Sequence, residues 1–181
     1  MANDKFFEIE IAGCKRKLPF CEVNENLDIA AFIMFGDTEI TEKSAKELLK
    51  KCPEFDVLIT AECKGIPLCY EMSKQCGKKY IVARKSEKLY MKNSIHVEVK
   101  SITTAKIQKL YLSENDFSEI RNKKILIVDD VISTGESVAA LEELVKKAKG
   151  NIAAKVCVLA EGNSSKRKDI IYLEKLPVFP K

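Results

Sequence analysis

The chain has 181 residues, 46% of them apolar and 32% charged, and a formal charge of +4. That length suits one domain with a full core, and no apolar run reaches the roughly 20 residues that span a bilayer, so a membrane protein is not expected. Lys and Glu are mixed along the chain with no basic stripe, which argues against nucleic acid as a partner and leaves a small anion open.

The N-terminus, MANDKFFEIEIAGCKRK, lacks the charged-then-apolar order of a signal peptide. Among seven cysteines, Cys63, Cys69, Cys76 and Cys157 sit within apolar segments, and no C-x-x-C pair suggests zinc. Reduced, mostly buried thiols in a cytoplasmic protein are expected.

In chain order, FFEIEI (6–11) alternates as a short strand would. TEKSAKELLKK (41–51) has helical spacing with Thr41 as its cap, and Pro53 follows its end. FDVLITA (55–61) reads as a buried strand, KGIPLCYEMSKQCG (64–77) as a helix closing on Gly77, and KKYIVAR (78–84) as a strand. Strand, helix, strand is the pattern of a parallel crossover unit. SIHVEVKSI (94–102) and AKIQKLYL (105–112) both alternate and predict an antiparallel flap. SENDFSEIRN (113–122) is a short capped helix. KKILIVDD (123–130) is a central strand, STGESVAALEELVKKAKG (133–150) a helix stopping at Gly150, and NIAAKVCVLAE (151–161) the last core strand. The expected fold class is α/β: a mainly parallel central sheet flanked by helices, in one domain over 1–181. Its core runs over about 54–160, with a flexible β flap inserted near 90–112.

Ligands gather at the carboxyl ends of strands in such sheets, and Glu62, Arg84, Asp129 and Glu161 all fall at predicted strand ends. Asp129 and Asp130 are adjacent carboxylates that repel, so the pair asks for a cation, a sugar hydroxyl or a phosphate-bearing ligand. After it, Ser133–Ser137 (STGES) combines a turning glycine, hydroxyl donors and the free N–H groups of a helix start, a site for a dianion. Taken alone, STG would be an ordinary cap; the acidic pair beside it favours a ligand with both phosphate and vicinal hydroxyls. A magnesium-binding receiver domain, which also shows ILIVDD, needs roughly 100 residues for its doubly wound unit, whereas 51 follow Asp130. A Walker loop needs Gly-Lys-Ser/Thr, which is lacking.

ILIVDDVISTGES resembles the phosphoribosyl pyrophosphate (PRPP) motif of type I phosphoribosyltransferases. AECKGIP (61–67) is similar to the pyrophosphate loop of the adenine branch, VARKSEKL (82–89) to its Arg-Lys segment, and IIYLEKLPVFP to its tail. The likeness covers roughly 54–180. It implies the type I fold with a small N-terminal hood on the base side, at about 1–50. It also implies transfer of the 5-phosphoribosyl group of PRPP to a purine base, giving a nucleoside monophosphate and pyrophosphate. Adenine is the first choice; xanthine or guanine is the alternative, as is a PRPP-sensing regulator without catalysis.

Carried over by position, the resemblance gives the 5′-phosphate and ribose to Asp129, Asp130, Val131, Ile132, Ser133, Thr134, Gly135, Glu136 and Ser137. It gives pyrophosphate to Glu62, Cys63, Lys64, Gly65, Arg84, Lys85 and Lys88. Asp129 and Asp130 would accept from the ribose hydroxyls and stabilise charge at the sugar carbon. Glu98 falls near a flap glutamate that manages the proton on the base, and Glu161 could reach the base edge. Magnesium would arrive with PRPP, held by its oxygens and water and by no protein ligand directly. A homodimer and a flap closing over PRPP are further implications.

The chain departs from the adenine branch at Lys64, where arginine is usual, at Glu136, where many members have glycine, and at Val99, where tyrosine is expected. PFCEVNENLDIAAFIMFGDTE does not match that branch's base-binding segment. His96, the single histidine, alternates with apolar residues and reads as a solvent-facing strand position. SSKRKD (164–169) reads as a solvated loop.

Overall fold

The apolar runs VLITA, ILIV and VCVLA lack alternation because both of their faces are covered, as expected for strands inside a parallel sheet. A computed structural model describes residues 6–100 and 107–181. In order, the elements are β1 (Phe6–Ile11), β2 (Cys14–Asn24), β3 (Leu27–Ala30), α1 (Thr38–Lys51), β4 (Val57–Ala61), α2 (Ile66–Cys76) and β5 (Tyr80–Ala83). There follow β6 (Ile95–Lys100), β7 (Ile107–Leu112), α3 (Glu114–Ile120), β8 (Lys124–Ile132), α4 (Glu136–Lys147), β9 (Asn151–Glu161), β10 (Ile171–Leu176) and β11 (Val178–Pro180).

The central sheet has the order β10-β9-β8-β4-β5, and every pairing in it is parallel. Successive residues of a strand point to opposite faces. Leu58, Leu126 and Val128 therefore pack with Ile40 and Leu48 of α1 and Leu68 and Met72 of α2. Ile59, Ile125 and Ile127 turn the other way, onto Leu141 and Leu144 of α4, Phe117 of α3 and Leu110 of β7. From the middle of the sheet the chain winds outward to β5 on one side and through β9 to β10 on the other. That is the switch point where such sheets form a ligand crevice. The crevice has a visible origin in the register. β4 pairs with β8 only over Val57–Ile59, so the two strands part before Asp129 is reached.

Several expectations change. The helix expected to cap at Thr41 begins at Thr38, and its cap is Asp37, whose side chain accepts from Ile40 N at 3.2 Å. Arg16 from β2 grips the same carboxylate at 2.6 and 2.9 Å and holds the Asp37 carboxyl below its ordinary range. A local pattern cannot show a cap clamped by a residue 21 positions away. Asp37→Ala should lower stability by about 1–2 kcal/mol, read by denaturant unfolding; an unchanged midpoint would deny the cap its role. α4 ends at Lys147 instead of running to Gly150, and Lys149 takes the left-handed conformation. Gly150 serves close packing instead, since a Cβ there would lie 2.6 Å from Ile120 Cγ2. β9 is not the last core strand, because IIYLEKL supplies β10 on the sheet edge.

The N-terminal segment forms β1-β2-β3 and closes through β11, the chain's own tail, into a four-stranded antiparallel sheet. Phe179 fixes the closure, 5.2 Å from the Phe7 ring and 4.7 Å from Phe20. β6 and β7 pair as expected, the pair starting at Ile95 instead of near 90. Its inward residues Val97, Leu110 and Leu112 are buried, so the base of the hairpin is packed against the α4 side of the core. The expected flap tip, with the Ser/Thr-rich stretch at 101–106, lies outside the described residues. All seven cysteines are free, but Cys63 and Cys21 are exposed and only Cys14, Cys69 and Cys157 are fully buried. Among the described residues no helix is long and apolar enough to cross a membrane.

Candidate active site

Where β4 and β8 part, the loop after β4 drops into the gap. Its Glu62–Cys63 peptide is cis. Gly65 lies so close to both strands that a Cβ there would stand 2.4 Å from Thr60 Oγ1 of β4 and 3.3 Å from the Asp129 Cα of β8. This approach brings Lys64 over the acidic pair, with its Nζ 3.3 Å from Asp130 Oδ2. Asp130 is 1% exposed, and that oxygen has no hydrogen-bond donor among the described residues. A buried carboxylate oxygen without a donor is costly, and at a switch-point crevice it marks where a ligand's donor belongs.

Asp129 Oδ1 accepts from the Asp130 backbone N–H at 3.0 Å. Burial first, and then the charge of Asp130, push its carboxyl up to about 8; Lys64 opposes them weakly. The folded chain thus holds a proton at Asp129 that the unfolded chain, titrating near 3.8, has released. Stability should therefore fall as pH rises from about 4 toward 8, with a slope approaching about 1.4 kcal/mol per pH unit. Asp129→Asn should remove that part of the slope in pH-dependent denaturant titrations. Parallel wild-type and variant curves would show that Asp129 does not hold the proton.

β8 continues into the 133–137 loop. Gly135 has φ +82° and immediately precedes α4, so the helix starts at Glu136 rather than at Ser133. A cavity of about 40 Å³ is lined by Asp129 and residues 131–138. It is small, polar and faces the first turn of α4, where unpaired backbone N–H groups favour an anion. At β5, Glu62 ties the two strand ends together: Oε2 accepts from Lys85 N at 2.9 Å, and Oε1 lies 3.3 Å from Arg84 Nη2. That amide, before the neighbouring cations, holds the Glu62 carboxyl below its usual range. Among the described residues, the buried Arg84 Nε has no hydrogen-bond partner. Lys88 lies farther along and donates to Ser86 Oγ at 2.7 Å.

Glu161 closes the far side. Burial raises its carboxyl, and Lys64 is the opposing charge, so Glu161 shares the field of the same lysine that faces Asp130. A Cβ on Gly162 would lie 3.4 Å from Val178 of β11, which sets the antiparallel sheet beside this strand end. The crevice thus joins Asp129, Asp130, Lys64, Gly65 and Glu161, with the 133–137 loop continuing β8. Glu98 has other contacts: it lies on β6 with its carboxylate 2.5 Å from Lys109 Nζ and 3.8 Å from His96 Nε2. His96 is half exposed, as a solvent-facing strand residue should be, and leans on Tyr111.

The SSKRKD stretch is not simply a solvated loop. Ser164 is buried and donates to Ile132 O at 2.5 Å, which ties the 3-10 turn Gly162–Lys166 to the strand end that launches the 133–137 loop. A serine in a polar, charged run gives no sequence signal for such a role.

Comparison with known proteins gives concordant results. The family profile described as the phosphoribosyl transferase domain matches residues 35–177. A hypoxanthine/guanine phosphoribosyltransferase of Methanotorris igneus is 37% identical over 112 residues, covering 61% of this chain and 57% of that protein. A xanthine phosphoribosyltransferase of Bacillus cereus is 30% identical over 120 residues, covering 65% and 60%. The chain thus spans less than two thirds of the length of these relatives. The crystal structure of adenine phosphoribosyltransferase from Thermoanaerobacter pseudethanolicus superposes with a TM-score of 0.66 at 20% identity, over 94% of this chain and 95% of that one. This last likeness is one of fold.

Proposed function

The chain belongs to the phosphoribosyl transferase domain family, and from that premise we propose that it transfers the 5-phosphoribosyl group of PRPP to a purine base, releasing pyrophosphate. The observation that carries this reading is the Asp129–Asp130 pair, Asp130 fully buried, with Lys64 across it and the 133–137 loop continuing from it. The ribose hydroxyls would donate to the carboxyl oxygens of the pair, supplying the donor that Asp130 Oδ2 lacks. The loop and the first turn of α4 would hold the 5′-phosphate. Lys64, half exposed on a flexible stem, can leave Asp130 for the pyrophosphate as the diol arrives, with the Gly65 backbone beside it. Arg84, Lys85 and Lys88 add positive charge on the same side.

Magnesium suits this donor set. A buried oxygen without a donor, on a hard carboxylate, would meet a hydrated ion held chiefly by the ligand's own oxygens. The ion supplies neutralisation of the pyrophosphate charge. The protein's share is positioning and stabilisation of charge at the sugar carbon, because PRPP carries its own leaving group.

Adenine is the first choice of base. Glu161, partly buried at the end of β9, would in its ionised form accept from a 6-amino group. The second reading, a 6-oxopurine, draws on the hypoxanthine/guanine and xanthine phosphoribosyltransferases of Methanotorris igneus and Bacillus cereus. A homodimer belongs to this proposal, and sedimentation tests it. The deciding experiment supplies PRPP and magnesium with adenine, guanine, hypoxanthine or xanthine in parallel and scores nucleotides by mass. AMP as the dominant product supports the first reading, and IMP, GMP or XMP the second. PRPP binding with no nucleotide from any base would favour a PRPP sensor.

A further inference from the structure

We propose that Arg167 binds the ribose 5′-phosphate, aimed at the 133–137 loop by a chain of ion pairs running through Glu142, Lys155 and Asp169. The proposal rests on the reading of that loop as the phosphate site.

Asp169 accepts from Arg167 Nε at 3.0 Å and from Nη2 at 2.7 Å, which fixes the plane of the guanidinium. The remaining nitrogen, Nη1, faces the loop: a Cβ on Gly135 would lie 2.6 Å from it. Among the described residues Nη1 makes no hydrogen bond. Two demands therefore meet at position 135. The backbone takes φ +82°, and the space a side chain would fill is occupied by a cation.

The ion-pair chain argues against a purely structural Arg167. Lys155 is nearly buried, 2.5 Å from Asp169 Oδ2 and 2.6 Å from Glu142 Oε1. Asp169 therefore has a cationic partner without Arg167. The four charges alternate from α4 through β9 to the turn, and the outermost is the positive end at the loop. Ser164, buried and bonded to Ile132 O, holds the same turn against the end of β8. A guanidinium locked on two of its three nitrogens has lost most of its freedom before a ligand arrives, so a further charge-assisted bond from Nη1 costs little ordering.

The test is calorimetric titration of the full chain with two probes, ribose 5-phosphate and inorganic magnesium pyrophosphate. Arg167→Gln should weaken ribose 5-phosphate by about tenfold or more, the loss expected for one charge-assisted bond, and leave pyrophosphate unchanged. Arg167→Lys, which keeps the charge without the fork, should lose less, and it carries the test should the glutamine variant fail to fold. Unchanged ribose 5-phosphate binding in a folded variant overturns the proposal, and so does equal loss of both probes, the mark of a structural role. A wild-type chain that binds neither ribose 5-phosphate nor PRPP overturns the phosphate-site reading itself, and the proposal falls with it.

Discussion

Asp130→Asn should cut kcat/KM for PRPP by about a hundredfold or more while the melting temperature holds or rises. The two effects have one cause. Asp130 is 1% exposed, its Oδ2 has no hydrogen-bond donor among the described residues, and its carboxylate sits beside the carboxyl of Asp129. Lys64 relieves this only from 3.3 Å and remains half exposed. Asparagine keeps the shape and removes the charge that helps force a proton onto Asp129, a gain of about 1 kcal/mol. It also places an amide donor where a ribose hydroxyl needs an acceptor, and it weakens the field that stabilises positive charge at the sugar carbon. A variant with full activity would mean that the ligand does not cross this pair. A variant that lost activity because it unfolded would mean that the pair is structural.

Gly65→Ala should be the most damaging small substitution in the loop after β4. The new methyl would meet Thr60 Oγ1 at 2.4 Å, Asp129 Oδ1 at 3.1 Å and the Asp129 Cα at 3.3 Å. Thr60 is fully buried on β4, so it cannot swing aside, and the last contact is with backbone. Overpacking of this kind costs about 1–3 kcal/mol. Relief comes from lifting the loop, which would carry Lys64 away from Asp130 and weaken pyrophosphate binding by about tenfold. Adding Thr60→Ala should restore part of the stability, because it removes the nearest atom and leaves the two Asp129 contacts. A single variant with normal stability and normal pyrophosphate affinity would show that the loop does not need this approach.

The sequence showed most of the core and the acidic pair for a physical reason. Strands buried on both faces are written as continuous apolar runs, and Asp129–Asp130 interrupts one of them at a strand end where stability alone offers no reason for charge. The N-terminal sheet was harder to read. β2 and β3 carry Pro19, Glu22 and Asp28 among their apolar residues, and their fourth partner is the tail more than 140 positions away. The Asp37 cap depends on Arg16, and the role of Ser164 depends on Ile132; both are tertiary contacts with no local signature. The crevice itself follows from where β4 stops pairing with β8, a matter of register that periodicity does not report.

On this reading the crevice would transfer a phosphoribosyl group and not merely hold PRPP. The measurement that tests it most directly is pyrophosphate release from PRPP and magnesium, followed with and without each purine and paired with nucleotide formation. Pyrophosphate and nucleoside monophosphate should form in equal amounts, with release dependent on the base. PRPP that binds tightly yet releases no pyrophosphate with any of the four purines would contradict it.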